Sequence, residues 1–295
     1  MVLNKMFVNN PFNYTASKDR LLPVIVDKFD YNKKTFVDMF CGSGVVGVNV
    51  SDRFDNVVLN DGCKQMIELL QYMTEHDTEE LLQEIKGYIS KYNLSKNNKE
   101  EFINARNIYN NGKRDPMLLY VLIAHAFSYN VVFNSRGGFS VPSGAGRSYF
   151  NPSMNKKFTA YCNRLHDIKS KVKFSSHKLE PSITCTLPID SAELNEYMFY
   201  CDPPYLTSDG SCSRSYGLRW TEEHDKLLMD LLDYINAKGG SFAMSNALSN
   251  NGHVNERLTA WAEKYKVYHL ACDYENCHHL RKNAGKTDEV LITNY

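Results

Sequence analysis

Phe36-Val37-Asp38-Met39-Phe40-Cys41-Gly42-Ser43-Gly44-Val45-Val46-Gly47 carries the most fold information in the chain. Its first five residues read as a buried strand, and the apolar run Val45 to Val50 reads as the continuation beyond a tight turn. Between them, Gly42-x-Gly44-x-x-Gly47 lets the backbone turn sharply and approach a ligand closely. Val57 to Asn60 reads as the next strand, and Asp61 at its end is placed to accept hydrogen bonds from ribose hydroxyls. The pattern suits NAD, FAD and S-adenosylmethionine alike. It points to an adenosine-containing ligand and leaves the reaction open.

Outward from this turn, the spacing of Ile67, Leu70, Leu81, Ile85 and Tyr88 predicts helix from Lys64 to Lys91. Pro116 fits the first turn of another helix, reaching about Phe127. Arg136-Gly137-Gly138, between aromatic and β-branched runs, predicts a hairpin, and Ser143 to Ser153 a loop. Strand signals return at Ile183–Thr186, Tyr197–Cys201, Ser241–Met244, Val267–Leu270 and Glu289–Thr293. An amphipathic helix from Glu222 to Asn236 lies among them, with Thr221 as N-cap and Gly239-Gly240 closing it. The whole reads as an α/β sheet formed by residues 1–72 and 177–295, interrupted by a smaller, mainly helical unit at 73–176.

Composition narrows the class. Hydrophobic residues make up 43% and charged residues 23%, as in globular proteins. The longest apolar stretch, Met117 to Phe127, is too short to span a bilayer, and Met1 to Asn10 lacks the apolar run of a signal peptide. A cytoplasmic chain without a membrane partner is expected. The cysteines Cys41, Cys63, Cys162, Cys185, Cys201, Cys212, Cys272 and Cys277 form no Cys-x-x-Cys pair and read as reduced thiols. Cys277-His278-His279 lacks a second ligand pair at usable spacing, so no metal is expected. The formal net charge is zero. From Ser135 to Lys178, however, nine Lys and Arg residues face one acid, Asp167, as a phosphate-contacting surface requires. Arg136 and Arg147 are the candidates for DNA contact.

The reaction is read from Tyr200-Cys201-Asp202-Pro203-Pro204-Tyr205. Two prolines directly after a strand end it and fix a rigid extended turn at its carboxyl end, where ligands bind in open α/β sheets. Such a turn presents the Asp202 carboxylate and the Pro203 carbonyl as paired acceptors, with the Tyr205 ring beside them. An aromatic amine is a poor nucleophile because its lone pair is delocalised. Acceptors gripping its hydrogens help localise that pair as positive charge develops during methyl transfer. A base inside a duplex must flip out to be reached, and an aromatic ring can stack on it.

These segments resemble the Dam-type, alpha-group DNA adenine-N6 methyltransferases over nearly the whole chain. Phe12-Asn13-Tyr14-Thr15-Ala16-Ser17-Lys18 and Arg20-Leu21-Leu22-Pro23 resemble the N-terminal motif of that family, which implies cofactor contacts for Tyr14 and Lys18. The likeness at Phe36–Gly47 implies that Asp38 and Phe40 line the cofactor beside Gly42 and Gly44, and Asp61 matches the ribose acid. Asp190 is similar to the acid near the cofactor adenine, and Asp202, Pro203, Pro204 and Tyr205 match the catalytic motif. Phe127 to Gly144 resembles the DNA-reading hairpin, with Asn134, Gly137, Phe139, Val141 and Pro142 agreeing. Ser128-Tyr129, Val132 and Ser140 depart from it, and base-reading positions are where specificity lives. The resemblance implies a seven-stranded Rossmann-like S-adenosylmethionine methyltransferase sheet with a reversed final strand and an inserted helical DNA-recognition domain.

The expected activity is methyl transfer from S-adenosylmethionine to the N6 amine of an adenine in double-stranded DNA, without metal. The enzyme would be solitary or partnered by a restriction endonuclease acting on the same site. Rival readings keep the donor with RNA or another amine as acceptor, use the glycine turn for NAD in an oxidoreductase, or retain DNA binding without catalysis. The NAD reading leaves Asp202 to Tyr205 without a role.

Overall fold

The computed structural model describes residues 7–13, 18–179, 191–206, 214–215, 218–250, 253–270 and 287–295. Its centre is a twisted sheet. Strands β1 (Thr35–Asp38), β2 (Asn56–Asn60), β3 (Val172–Ser175), β4 (Tyr197–Cys201), β5 (Ser241–Asn250), β6 (Lys266–His269) and β7 (Asp288–Thr293) lie in the order β3-β2-β1-β4-β5-β7-β6. A two-residue strand, His253–Val254, folds back onto the end of β5. Strands β1 to β5 run parallel to one another, whereas β7 is antiparallel to both β5 and β6. The reversed last strand matches the architecture implied by the resemblance.

Register explains the burial. Val37 pairs with Val58 on one side and with Phe199 on the other. These three side chains share one face of the sheet with Phe242, Met244, Val290 and Ile292. Phe36, Val57, Leu59, Met198 and Tyr200 point to the opposite face. Both faces are covered, which is why the central strands read as continuous apolar runs rather than alternating ones. Helices α8 (Glu222–Ala237) and α9 (Glu256–Ala262) cover the Val37 face with Leu228, Leu231, Leu232, Ile235, Leu258 and Trp261. The Thr221 side chain accepts from the His224 N–H, capping α8 as expected.

The other face carries α1 (Leu22–Val26), α2 (Val45–Val50), α3 (Lys64–Glu75), α4 (Thr78–Lys91), α5 (Lys99–Asn111), α6 (Pro116–His125) and α7 (Pro152–Asp167). The single helix expected from Lys64 to Lys91 is two. His76 is extended and the Asp77 carboxylate accepts from Glu79 and Glu80 N–H, so a helix start falls inside the apolar period. Helix α6 is buried on every side from Met117 to His125 and packs against α3, α4 and α5.

The sheet also takes in residues 172–175, which the sequence reading assigned to the insertion. β3 is a short edge strand carrying the exposed Lys173, and its sparse apolar content hid it among basic residues. The expected strand at 183–186 lies outside the described residues. The hairpin at Arg136 is reduced to two isolated antiparallel bridges, Phe133–Phe139 near its tip and Ala126–Ser143 at its base.

Candidate active site

The strand order changes direction between β1 and β4. A crevice therefore opens at their carboxyl ends, where ligands bind in open α/β sheets. Asp38 closes β1, and the chain then turns through Gly42 at φ +52° and Gly44 at φ +71°, conformations that favour glycine. A Cβ on Gly44 would stand 2.9 Å from the Tyr161 hydroxyl, and one on Gly47 would collide with Leu59. Tyr161, reaching over from α7, donates to the Ser43 carbonyl and props the turn from the insertion side.

Two acids accept from this turn, with Asp202 near by. Asp61 accepts from Gly42 N–H at 2.9 Å and from Cys63 N–H at 2.8 Å, and burial raises its pKa to about 6. The Oδ2 of Asp38 accepts from Gly47 N–H at 3.3 Å. Its Oδ1 is buried and has no hydrogen-bond partner among the described residues. Burial, reinforced by Asp202 and Asp61 nearby, pushes the Asp38 carboxyl well above the usual carboxylate range. Phe40 is half-buried, its ring edge-on to Trp220 at 5.5 Å.

Met39 N–H donates to the Tyr200 carbonyl at 2.9 Å, tying the end of β1 to the end of β4 and bringing the proline turn beside the glycine turn. The Asp202 Oδ1 lies 2.9 Å from the Lys18 ammonium and accepts from the Tyr205 hydroxyl at 3.2 Å. Lys18 also lies 3.3 Å from Glu289 Oε1 and donates to the Tyr205 hydroxyl at 3.1 Å. The Tyr205 hydroxyl also lies 3.1 Å from Glu289 Oε1, so its single proton is shared between the two carboxylates. Burial raises the Asp202 pKa despite the opposing pull of Lys18. For Lys18, burial acts to lower the pKa, but Asp202 and Glu289 together outweigh it and hold the ammonium charged. Burial beside these two acids keeps the Tyr205 phenol protonated.

Residues 14–276 match the model of the D12 class N6 adenine-specific DNA methyltransferases. The chain belongs to this family. It is 36% identical over 291 residues to the type II methyltransferase M.FokI of Planomicrobium okeanokoites, covering 98% of this chain and 43% of that protein. Modification methylase StsI of Streptococcus sanguinis is 31% identical over 99% of this chain and 43% of its own length. Modification methylase LlaI of Lactococcus lactis subsp. lactis is 27% identical over 97% and 43%. The chain thus spans less than half the length of these relatives.

Within the D12 fold, Lys18, Asp38, Phe40, Gly42, Gly44, Asp61, Asp202, Pro203, Pro204 and Tyr205 all lie along one sheet edge. Tyr14 and Asp190 lie outside the described residues. The hairpin tip docks on this edge too, since Gln65, at the start of α3 just past Asp61, donates to the Gly137 carbonyl at 3.0 Å. Arg136 and Arg147 are exposed. Asn134 is also exposed, but its amide oxygen accepts from Arg136 and Gly138 N–H at 2.9 Å each, so it shapes the tip.

The basic stretch divides. Arg164 pairs with Asp52 at 2.6 Å, and Lys171 donates to the Phe54 carbonyl, both next to the start of β2 at the opposite edge of the sheet. Helix α7 carries them away from the hairpin. Two residues of the site were not singled out from sequence, Glu289 and Tyr161. The signal for Glu289 was an acid near the start of an otherwise apolar buried strand; an isolated tyrosine on a helix gives none.

Proposed function

We propose that the chain transfers a methyl group from S-adenosylmethionine to the N6 amine of an adenine flipped out of duplex DNA. The carrying observation is the Asp202-Pro203-Pro204-Tyr205 turn fixed beside the glycine turn by the Met39–Tyr200 bond. Family membership supports the acceptor, and the names of the relatives support a modification role paired with a restriction endonuclease. No helix of the described residues is long and apolar enough to cross a membrane. We place the enzyme with DNA in the cytoplasm.

The crevice fits the donor better than a dinucleotide. Three acids, one with an unsatisfied buried oxygen, suit a ligand bearing an ammonium and a sulfonium and oppose a pyrophosphate. S-adenosylmethionine, when bound, supplies an electrophilic methyl group. Asp61 would take the ribose hydroxyls, Asp38 the cationic portion, and Phe40 with the backbone at Gly42 and Gly44 would line the rest. Asp202 and the Pro203 carbonyl would grip the amine hydrogens while the Tyr205 ring stacks on the base. The segment from 73 to the start of β3, with Asn134 shaping the tip and Arg136 and Arg147 exposed, would form the DNA-recognition unit.

Asp202→Ala should reduce methyl transfer to duplex DNA by at least about 100-fold while leaving S-adenosylmethionine affinity within about threefold. A tritiated-methyl assay with calorimetry checks both. Retained turnover would remove Asp202 from catalysis. Transfer by the unaltered chain to RNA but not to duplex DNA would replace the acceptor.

A further inference from the structure

Glu289 is the second residue of β7, at a register shift between Asp288 and Glu289. A bulge there re-aims a side chain out of the regular alternation. Val290 to Thr293 continue as a fully buried strand, so an acid at this position requires a partner. Lys18 provides one at 3.3 Å and the Tyr205 hydroxyl another at 3.1 Å. Lys18 is already closer to Asp202, at 2.9 Å.

Two carboxylates therefore surround one ammonium in a largely enclosed cluster, with side-chain exposures of 13% for Lys18, 21% for Asp202 and 11% for Glu289. Asp202 and Lys18 alone would form a neutral pair. Adding Glu289 leaves one uncompensated negative charge among the described residues, which costs stability if nothing arrives to meet it. The amine of the target base arrives neutral and becomes positive as it takes the methyl group.

We propose that Glu289 is a positioning residue for methyl transfer, sharing Lys18 and Tyr205 so that Asp202 faces the amine with net negative charge. The inference rests on the adenine-amine reading of the site. Without Glu289, Lys18 pairs one-to-one with Asp202 and cancels the charge that the transition state uses. Glu289 also holds the Tyr205 hydroxyl at 3.1 Å, which helps to fix the ring on which the base would stack. Both effects act on the chemical step at saturating substrates, and Lys18, for which the resemblance implies a cofactor contact, is itself unchanged in the variants.

Glu289→Gln keeps the volume and an acceptor for Tyr205 but removes the charge. Glu289→Asp keeps the charge and shortens the reach. Single-turnover methyl transfer from S-adenosylmethionine to duplex DNA is measured for the full chain and both variants, with cofactor affinity by calorimetry and unfolding temperature alongside. The expected result is a saturated rate about 100-fold lower for Glu289→Gln, at least tenfold recovery in Glu289→Asp relative to it, and cofactor Kd within threefold of the parent. A merely structural hydrogen bond predicts the reverse order, with Gln the better replacement. Glu289→Gln within threefold of the parent rate, Glu289→Asp no faster than Glu289→Gln, or a loss confined to cofactor affinity overturns the proposal. Failure of the adenine reading is seen separately, as an unaltered chain that transfers no methyl group to duplex DNA.

Discussion

At the scale of single residues, burial sets the charge of the crevice proposed to hold the cofactor. Asp61 is enclosed at 5% exposure and titrates at about 6 despite two backbone N–H donors. Its folded pKa lies above the ordinary aspartate value, so the folded state binds a proton more readily than the unfolded chain. Stability from this group is therefore greatest below the ordinary value and is lost as pH rises through about 6. Ribose hydroxyls donate to the ionised form, so ligand affinity has the opposite slope. S-adenosylmethionine should bind about tenfold more weakly at pH 5 than at pH 8, as read by calorimetry. Binding heats that vary with buffer ionisation should also report proton release from Asp38, whose burial favours the protonated carboxyl in the free protein. Gly44 is a steric counterpart. Ala at this position combines φ +71° with a Cβ at 2.9 Å from the Tyr161 hydroxyl. Gly44→Ala should cost about 2–5 kcal/mol in denaturant unfolding, against about 1–2 kcal/mol for Gly146→Ala, which shares the left-handed φ at +80° but whose Cβ meets open space.

At the scale of elements, helix α5 holds the hairpin tip that lies beside the crevice. Asn110 donates to the Phe139 carbonyl at 3.0 Å and accepts its N–H at 2.7 Å, while Arg106 donates to the Val141 carbonyl at 2.8 Å. Phe139 is buried, so deleting the clamp strands two backbone polar groups. Asn110→Ala should lower stability by about 1–3 kcal/mol and speed hydrogen exchange at Phe139, with duplex affinity falling although Asn110 itself need not touch DNA. This clamp could not be read from sequence, because Asn110 and Phe139 are joined only by tertiary packing. Elements with strong local signals were legible: the glycine turn, the α8 helix with its Thr221 cap, and strands β4 and β7. The break at His76 and the edge strand β3 were not, since a capping aspartate interrupted an unbroken apolar period and a lysine masked a strand that owes its existence to pairing with β2. The site shows the same division. Asp202 to Tyr205 announce themselves as a motif, whereas Glu289 joins them only through the reversed strand of the folded sheet.

At the scale of the whole molecule, 34 basic and 34 acidic residues balance, so attraction to DNA depends on where the charges stand rather than on their sum. A linear count from Ser135 to Lys178 treats its basic residues as one surface, but the fold sends them to opposite edges of the sheet. Arg136 stands exposed on the tip that Gln65 fastens beside the crevice. Arg164 is 15% exposed and joins α7 to Asp52 and Ser51 at the far edge, where its charge is already matched. The two arginines should therefore respond oppositely to removal. Arg136→Ala should weaken duplex binding and reduce the slope of log affinity against log salt by about 1, with unfolding unchanged. Arg164→Ala should leave that slope intact and cost about 1 kcal/mol, discounted for the partly exposed Asp52, or about 2 °C in Tm. Fluorescence anisotropy across a salt series, paired with thermal melts, separates the two. Equal slopes for both variants would mean that DNA wraps past the crevice edge to reach α7, and the basic stretch would then act as one surface after all.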